Sequence, residues 1–145
     1  MTTLAASASA ADTAPRSKAL HITLWVVQGL LAAAFLMAGW MKLVTPVDVL
    51  AKQMPWVTGA MGQFVRIIAA LEVAGAIGLI LPAATRILPQ LTTFAALGLT
   101  LNMIGAGATH LARGETPMIV VNLVLGSLAA FVTWGRALKA PIRSR

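Results

Sequence analysis

Glu72 places a carboxylate in the middle of an apolar stretch, RIIAALEVAGAIGLILP, which covers residues 66–82. A carboxylate at the centre of a membrane span costs about 2.5–3.5 kcal/mol on insertion scales, so it needs a cation, water or a proton. Arg66 lies about 120° around the helix and is not an i,i+4 partner, whereas Lys42 and His110 can reach from neighbouring helices. Glu72 therefore has three candidate interpretations: a buried ion pair or hydrogen bond that fixes helix register, a site for a ligand, proton or quinone, or a chance position at the lipid interface.

Other polar residues fall at a similar depth in the apolar segments. At a rise of about 1.5 Å per residue, Glu72, Asn102 and Asn122 lie about 12, 10 and 8 Å below the same end of their helices. We expect all three to face the bundle axis, although the asparagines also suit interhelical hydrogen bonding. Only Gln28 lies toward the opposite end. The sequence thus predicts a polar, ligand-binding chamber formed by Lys42, Arg66, Glu72, Asn102, His110 and Asn122.

Several chemistries are excluded by residue type. The chain has no cysteine and no tyrosine, which excludes disulfides, thiol redox chemistry, iron–sulfur clusters and tyrosyl chemistry. The two histidines, His21 and His110, lie on opposite sides of the predicted membrane, so we expect no metal site and no bis-histidine haem. GAGATH follows a helix and opens none, which fails the context of a dinucleotide-binding loop. No catalytic residue is identified by pattern.

The composition indicates an integral membrane protein with one domain. Of the 145 residues, 59% are hydrophobic and 10% are charged, against roughly 25% charged in soluble domains. Four segments, residues 22–41, 64–81, 87–109 and 117–135, approach or reach the roughly 20 residues needed to span a bilayer. We predict an all-α, antiparallel four-helix transmembrane domain over residues 22–136. Residues 1–21 are predicted to be a disordered cytoplasmic tail, and residues 137–145 a basic cytoplasmic tail.

The basic residues indicate the orientation. Seven lysines and arginines lie on the side of the termini and four on the other, which places both termini in the cytoplasm and opens the chamber outward. The four tryptophans lie near span ends, where indole rings prefer the headgroup level. The net charge of +7 resides in tails and loops, so we expect membrane lipid and not nucleic acid as the partner.

The connections between the spans suggest how the helices pack. TPVDVLAKQM, residues 45–54, predicts a short helix with Thr45 as N-cap and Pro46 at the first helical position. We expect this helix to lie on the outer membrane face or to fold over the bundle mouth. The other two connections are short, which makes consecutive spans antiparallel neighbours. Arg113 and Glu115, between the last two spans, are interpreted as solvated loop residues.

Four segments carry a resemblance to a known family. They are FLMAGWMKLVTP, ALEVAGAIGLILPAATR, LNMIGAGATHLARGE and NLVLGSLAAFVTWGR. Their order and spacing over about residues 22–136 resemble the DoxX and DoxX-like family of small four-helix membrane proteins. Family members are named for membrane subunits of quinol oxidase and thiosulfate–quinone oxidoreductase systems. The matching positions are Gly39, Lys42, Pro46, Glu72, Gly75, His110 and Asn122.

The resemblance implies an accessory subunit of a quinone-linked redox system in the bacterial inner membrane. Quinone is then the candidate ligand, an oxidoreductase the candidate partner, and a homo-oligomer a further possibility. The chain alone cannot ligate an electron carrier, so catalysis would require that partner, and whether the chain is an enzyme stays open. Two alternatives remain: a small proton-coupled transporter, and a structural or assembly factor whose polar stripe serves only packing.

Overall fold

The computed structural model describes residues 18–145, which form a helical bundle. The helices are α1 (Lys18–Val44), α2 (Val47–Gln53), α3 (Ala60–Thr85), α4 (Gln90–Ala112) and α5 (Thr116–Trp134), followed by a π-helical turn, Gly135–Lys139. The described residues include no strand, and four of the helices are long and apolar enough to cross a membrane. The predicted fold class is therefore confirmed.

Helix ends differ from the predicted span ends by up to four residues. α1 begins at Lys18, so residues 18–21 are helical instead of part of a disordered tail, and the rest of that predicted tail lies outside the described residues. α3 extends four residues beyond the predicted span at each end. Hydropathy locates the apolar part of a helix, whereas the helical backbone hydrogen bonds continue into the residues that flank it.

Small residues bring the helices close together. α1 packs against α3, α3 against α4, and α4 against α5. A Cβ atom built on Gly39 would lie 2.8 Å from the Ala69 carbonyl oxygen, which is a clash with the backbone of α3. A Cβ on Gly75 would lie 2.7 Å from Leu99 in α4. These two glycines therefore allow the close approach that positions the polar residues of α1, α3 and α4.

Large apolar side chains cover the outside of the bundle. On three of the long helices, large apolar side chains are more than 60% exposed; examples are Leu30, Met37, Leu101 and Leu123. The interior is a smaller apolar core that contains Leu24, Leu31, Phe35, Leu79 and Leu99. Contiguous apolar surface of this extent is unusual on a soluble monomer but suits contact with lipid tails.

Helix α2 lies over one end of the bundle, which we call the loop end. Leu50 of α2 and Val57 of the following loop pack with Val65 of α3 in a small second core. The predicted cap is displaced by one position, because Pro46 is the N-cap residue and its carbonyl accepts hydrogen bonds from Val49 and Leu50. Thr45 therefore does not cap α2, and its carbonyl accepts a hydrogen bond from Arg66 instead.

The opposite end, where the described chain begins and ends, is the tail end. Here Pro82 lies within α3, where proline removes one backbone N–H donor from the helix ladder. The fully buried Gln28 of α1 donates to the carbonyl of Leu79, three residues before that proline, at 2.6 Å. The Gln28 oxygen in turn accepts from Nε of Arg136 at 2.6 Å. Gln28 therefore links three helical segments at the tail end.

Candidate functional site

A cavity of about 410 Å³ lies at the loop end between α1, α3 and α4, below the loop that follows α2. Its volume falls in the range of about 300–1,000 Å³ that is usual for small-molecule sites. The apolar walls include Trp56, Phe64, Ile68 and Leu101. The polar residues that line it are Lys42, Glu72, Asn102, Thr109 and His110. The cavity therefore combines apolar walls with a few convergent polar groups.

Lys42 is the partner of Glu72. The Lys42 ammonium donates to both carboxylate oxygens, at 2.7 and 2.6 Å. The Glu72 side chain is only 4% exposed and that of Lys42 is 22% exposed, so the pair is largely withdrawn from solvent. Asn102 of α4 adds a longer hydrogen bond, 3.3 Å, to one of the same oxygens. Three helices thus converge on one carboxylate, which satisfies the requirement for a counter-cation.

Arg66 holds the end of α1 and does not line the cavity. Its guanidinium group donates to the backbone carbonyls of Lys42, Leu43 and Thr45. The last carbonyls of a helix lack partners within the helix, and a cation near them also interacts favourably with the helix dipole. Arg66 therefore caps α1 and fixes the backbone of Lys42, which positions the ammonium group toward Glu72.

His110 and the α4–α5 loop close one side of the cavity. Nδ1 of His110 lies 2.5 Å from a carboxylate oxygen of Glu115, so His110 is not a partner of Glu72. The Arg113 guanidinium carbon lies 4.4 Å from the centre of the Trp56 ring, within the range of a cation–π contact. Arg113 and Glu115 lie in the loop with Arg113 exposed and Glu115 partly exposed, as the sequence predicts, and in addition they contact Trp56 and His110, which line the cavity.

Asn122 does not contribute to this cavity, contrary to the predicted chamber. It lines a separate groove between α4 and α5, where its Cβ lies 3.8 Å from a Cβ built on Gly107. Its amide nitrogen is buried and has no hydrogen-bond partner among the described residues. The difference arises from the rotation of α5, which packs mainly on α4 and turns Asn122 toward that helix and away from Glu72.

The polar groups in the cavity retain donor capacity. A lysine ammonium has three N–H donors and an asparagine amide has two. Glu72 accepts two from Lys42 and one from Asn102, which leaves one donor on each. The Lys42–Glu72 pair has no net charge, so the site favours a neutral ligand with hydrogen-bond acceptors over an ion. Residues 18–145 contain no group of three or more His, Asp or Glu side chains suited to a metal ion.

A sequence model of the DoxX-like family matches residues 26–132. The chain belongs to this family. No curated protein and no solved structure matches the chain. Together with four apolar helices of membrane-spanning length, the match identifies a multi-pass membrane protein of the DoxX-like family.

The family match includes all of the predicted site residues. Of these, Lys42, Glu72, Asn102 and His110 line the cavity. Arg66 of α3 supports it by capping the end of α1, and Asn122 lies elsewhere. The match ends before Arg136, so the buried cluster at the tail end lies partly outside the family region.

The aromatic and apolar walls of the cavity were missed by sequence reasoning. The sequence predicts Trp56 to be an interfacial residue and Phe64 to begin a span, yet both line the cavity. The signal available was the position of Trp56 in the longest loop, next to a short helix predicted either to lie on the outer membrane face or to fold over the bundle mouth. The stacking of Arg113 on Trp56 joins two loops that are far apart in sequence, and no local pattern predicts it.

Proposed function

We propose that the protein is an accessory subunit of a quinone-linked oxidoreductase system in the bacterial inner membrane, and that the loop-end cavity binds the quinone headgroup. The observation that carries this proposal is the combination of aromatic and aliphatic walls with spare donors on Lys42 and Asn102. The oxidised headgroup is a flat, neutral ring with two carbonyl acceptors, which matches such a site. Electron carriers would belong to the partner protein.

The reduced headgroup also finds suitable partners. A quinol has two hydroxyl groups that can donate, and the carboxylate of Glu72 and Nε2 of a neutral His110, whose Nδ1–H faces Glu115, are acceptors at the cavity wall. Phe64, Ile68 and Leu101 are carried by α3 and α4, so an isoprenoid tail can pass from the cavity toward lipid along apolar surface. The same cavity can thus hold both redox states.

The transporter alternative requires access to Glu72 from both sides of the membrane. Beyond Glu72, toward the tail end, the buried side chains of Phe35, Leu31 and Leu79 fill the space between the helices. The cavity lies on the loop-end side of this apolar core, which supports a binding role. An assembly factor would use the same residues only for packing and would bind no ligand in the cavity.

Fluorescence of Trp56 tests the proposal directly. In lipid nanodiscs, a water-soluble short-chain benzoquinone is titrated into a variant in which Trp25, Trp40 and Trp134 are replaced by phenylalanine. Saturable quenching is expected because Trp56 lines the cavity. Asn102→Leu should weaken binding by roughly three- to tenfold, since a hydrogen bond contributes about 0.5–1.5 kcal/mol.

Asn122→Leu is the matched control, because Asn122 lies in the other groove and its amide nitrogen has no partner. It should leave quinone binding unchanged. Linear, non-saturable quenching that is equal in the Asn102→Leu and Asn122→Leu proteins would refute the quinone site. Proton flux into protein-containing vesicles, lost in Glu72→Gln, would favour the transporter instead.

A further inference from the structure

A second cavity, of about 240 Å³, lies at the tail end beneath the C-terminal segment. The residues that line it include Gln90, Thr93, Phe94, Arg136, Pro141 and Ile142. It is separate from the loop-end cavity, and no residue lines both. It is also large compared with the roughly 30 Å³ that one water molecule occupies in the liquid.

Arg136 is a buried cation that forms no ion pair with any of residues 18–145. It is only 3% exposed, and its Nε and Nη1 atoms bind Gln28, His21 and the Ala140 carbonyl. Nη2 is buried and has no hydrogen-bond partner among the described residues. The two salt bridges among residues 18–145 are Lys42–Glu72 and His110–Glu115, and neither involves Arg136. A buried guanidinium of this kind is costly unless an anion or acceptor completes its coordination.

The start of α4 supplies a second feature that favours an anion. Pro89 is its N-cap and provides no side-chain acceptor, so the positive end of the helix dipole is not compensated by a cap. Thr93 lies in the first turn and lines the cavity. Thr100 and Thr133 donate to the carbonyl four residues earlier, but the hydroxyls of Thr93 and of the buried Thr92 make no such bond. The Thr93 hydroxyl is available to a ligand.

The charged side chains that the structure describes at this end are all basic. Arg86, Lys139, Arg143 and Arg145 lie at this end, and the backbone N–H of Arg145 donates to the Arg86 carbonyl. The acidic residues of the described chain, Asp48, Glu72 and Glu115, lie in α2, in the loop-end cavity and in the α4–α5 loop. The tail end therefore attracts anions without competition from an acidic side chain among the described residues.

We propose that this tail-end cavity binds the phosphodiester group of an anionic phospholipid, with Arg136 and Thr93 as its ligands. A lipid is the better source of the phosphate than the free ion, because Phe94 is 63% exposed beside the cavity and Ile142 lines it, which gives acyl chains an apolar path. The nearby basic residues favour phosphatidylglycerol over phosphatidylcholine, whose choline cation they repel.

The test is native mass spectrometry of the full chain released from detergent micelles, with phosphatidylglycerol or phosphatidylcholine of identical acyl chains added in turn. One retained phosphatidylglycerol is expected, at least about tenfold preferred over phosphatidylcholine. Arg136→Gln should weaken retention by about tenfold or more, because a hydrogen bond to a charged group contributes about 1.5–3 kcal/mol.

Because Arg136 also binds Gln28, Arg136→Gln can impair folding, and Thr93→Val then decides. This variant should weaken retention by roughly three- to tenfold at unchanged helicity, since it removes one hydroxyl donor. Thr133→Val is the matched control, because the Thr133 hydroxyl donates to the Ala129 carbonyl within its own helix. This variant should retain lipid as the wild type does. Equal retention of phosphatidylglycerol by the wild type and Thr93→Val overturns the proposal. Inorganic phosphate that raises the unfolding temperature as much as phosphatidylglycerol does overturns the lipid assignment.

Discussion

The bond between Lys42 and Glu72 joins two side chains that would each be costly alone in an apolar environment. We expect Glu72→Gln to lower the free energy of unfolding in detergent, because it leaves the Lys42 cation without its anion. The loss should fall below the roughly 3–5 kcal/mol of a fully buried pair, since Lys42 is 22% exposed and can turn toward water. Thermal unfolding followed by circular dichroism measures it.

A double-mutant cycle distinguishes this pairing from a general loss of packing. Lys42→Met combined with Glu72→Gln should cost less than the sum of the two single changes, because neither variant side chain is charged. The pair His110–Glu115 is the control, since Glu115 is 38% exposed and exposed pairs contribute little. Additive effects at Lys42 and Glu72, within about 0.5 kcal/mol, would show that the two charges are not coupled.

Arg66→Lys should loosen the end of α1 although the charge is kept. A guanidinium group reaches several carbonyls with its planar fork, whereas an ammonium group is a compact point charge. We expect faster backbone hydrogen exchange at residues 43–45 and a loss of about 1–3 kcal/mol in stability. Arg113→Lys is the comparison, because Arg113 stacks on Trp56 and not on the end of α1. This substitution should leave hydrogen exchange at α1 unchanged. Unaltered exchange in Arg66→Lys would contradict the capping role.

Sequence reasoning could identify Glu72 as the residue in need of a partner, because its cost in an apolar segment follows from its charge alone. Sequence reasoning could reduce the candidate partners of Glu72 only to Lys42 and His110. The choice depends on Glu115, which holds His110 at 2.5 Å, and on Arg66, which fixes the backbone of Lys42. Both are contacts of neighbouring loops and helix ends, which hydrophobic periodicity does not encode.

Among the helices, the α1–α3 contact is the one that most directly sets the site geometry. Gly39→Ala should force α1 away from α3, because the added Cβ would lie 2.8 Å from the Ala69 carbonyl oxygen and 3.1 Å from the Glu72 Cβ. We expect a loss of about 1–3 kcal/mol from overpacking, together with weaker quinone binding. Thermal stability and the Trp56 quenching titration measure the two effects.

Gly29→Ala is the matched control in the same helix, since a Cβ there meets no atom within 4 Å. Alanine has the higher helix propensity, so this change should be neutral or stabilising by up to about 1 kcal/mol. Equal destabilisation by both substitutions would indicate that glycine matters for helix flexibility instead of for the contact between α1 and α3.

The existence and order of the four long helices could be predicted because each carries a long apolar segment. Their ends could not, since α3 begins at Ala60 and α1 begins at Lys18, both beyond the apolar windows. The rotation of each helix was predicted in part. Asn102 faces Glu72, but Asn122 faces Gly107, because α5 packs chiefly on α4 and the sequence of α5 alone does not reveal that preference.

For the molecule in its membrane, we expect the tail end to face the cytoplasm. Seven basic residues lie on that side and four on the other. Green fluorescent protein fused after Arg145 should fluoresce, and alkaline phosphatase at the same position should be inactive. Alkaline phosphatase inserted after Thr58, in the loop between α2 and α3, should show the opposite result. An active phosphatase at the C-terminus would reverse the orientation and would open the loop-end cavity to the cytoplasm.

The pairing of Lys42 with Glu72 also bears on biosynthesis, because α1 and α3 are consecutive long helices of the growing chain. α1 can enter lipid early, since Lys42 lies at its end and can extend toward the headgroups. α3 carries Glu72 near its middle, so its release into lipid without a partner helix is energetically unfavourable. We therefore expect α3 to leave the translocon against α1 as a charge-neutral hairpin. The later arrival of α4 then brings Asn102 to a carboxylate that is already neutralised.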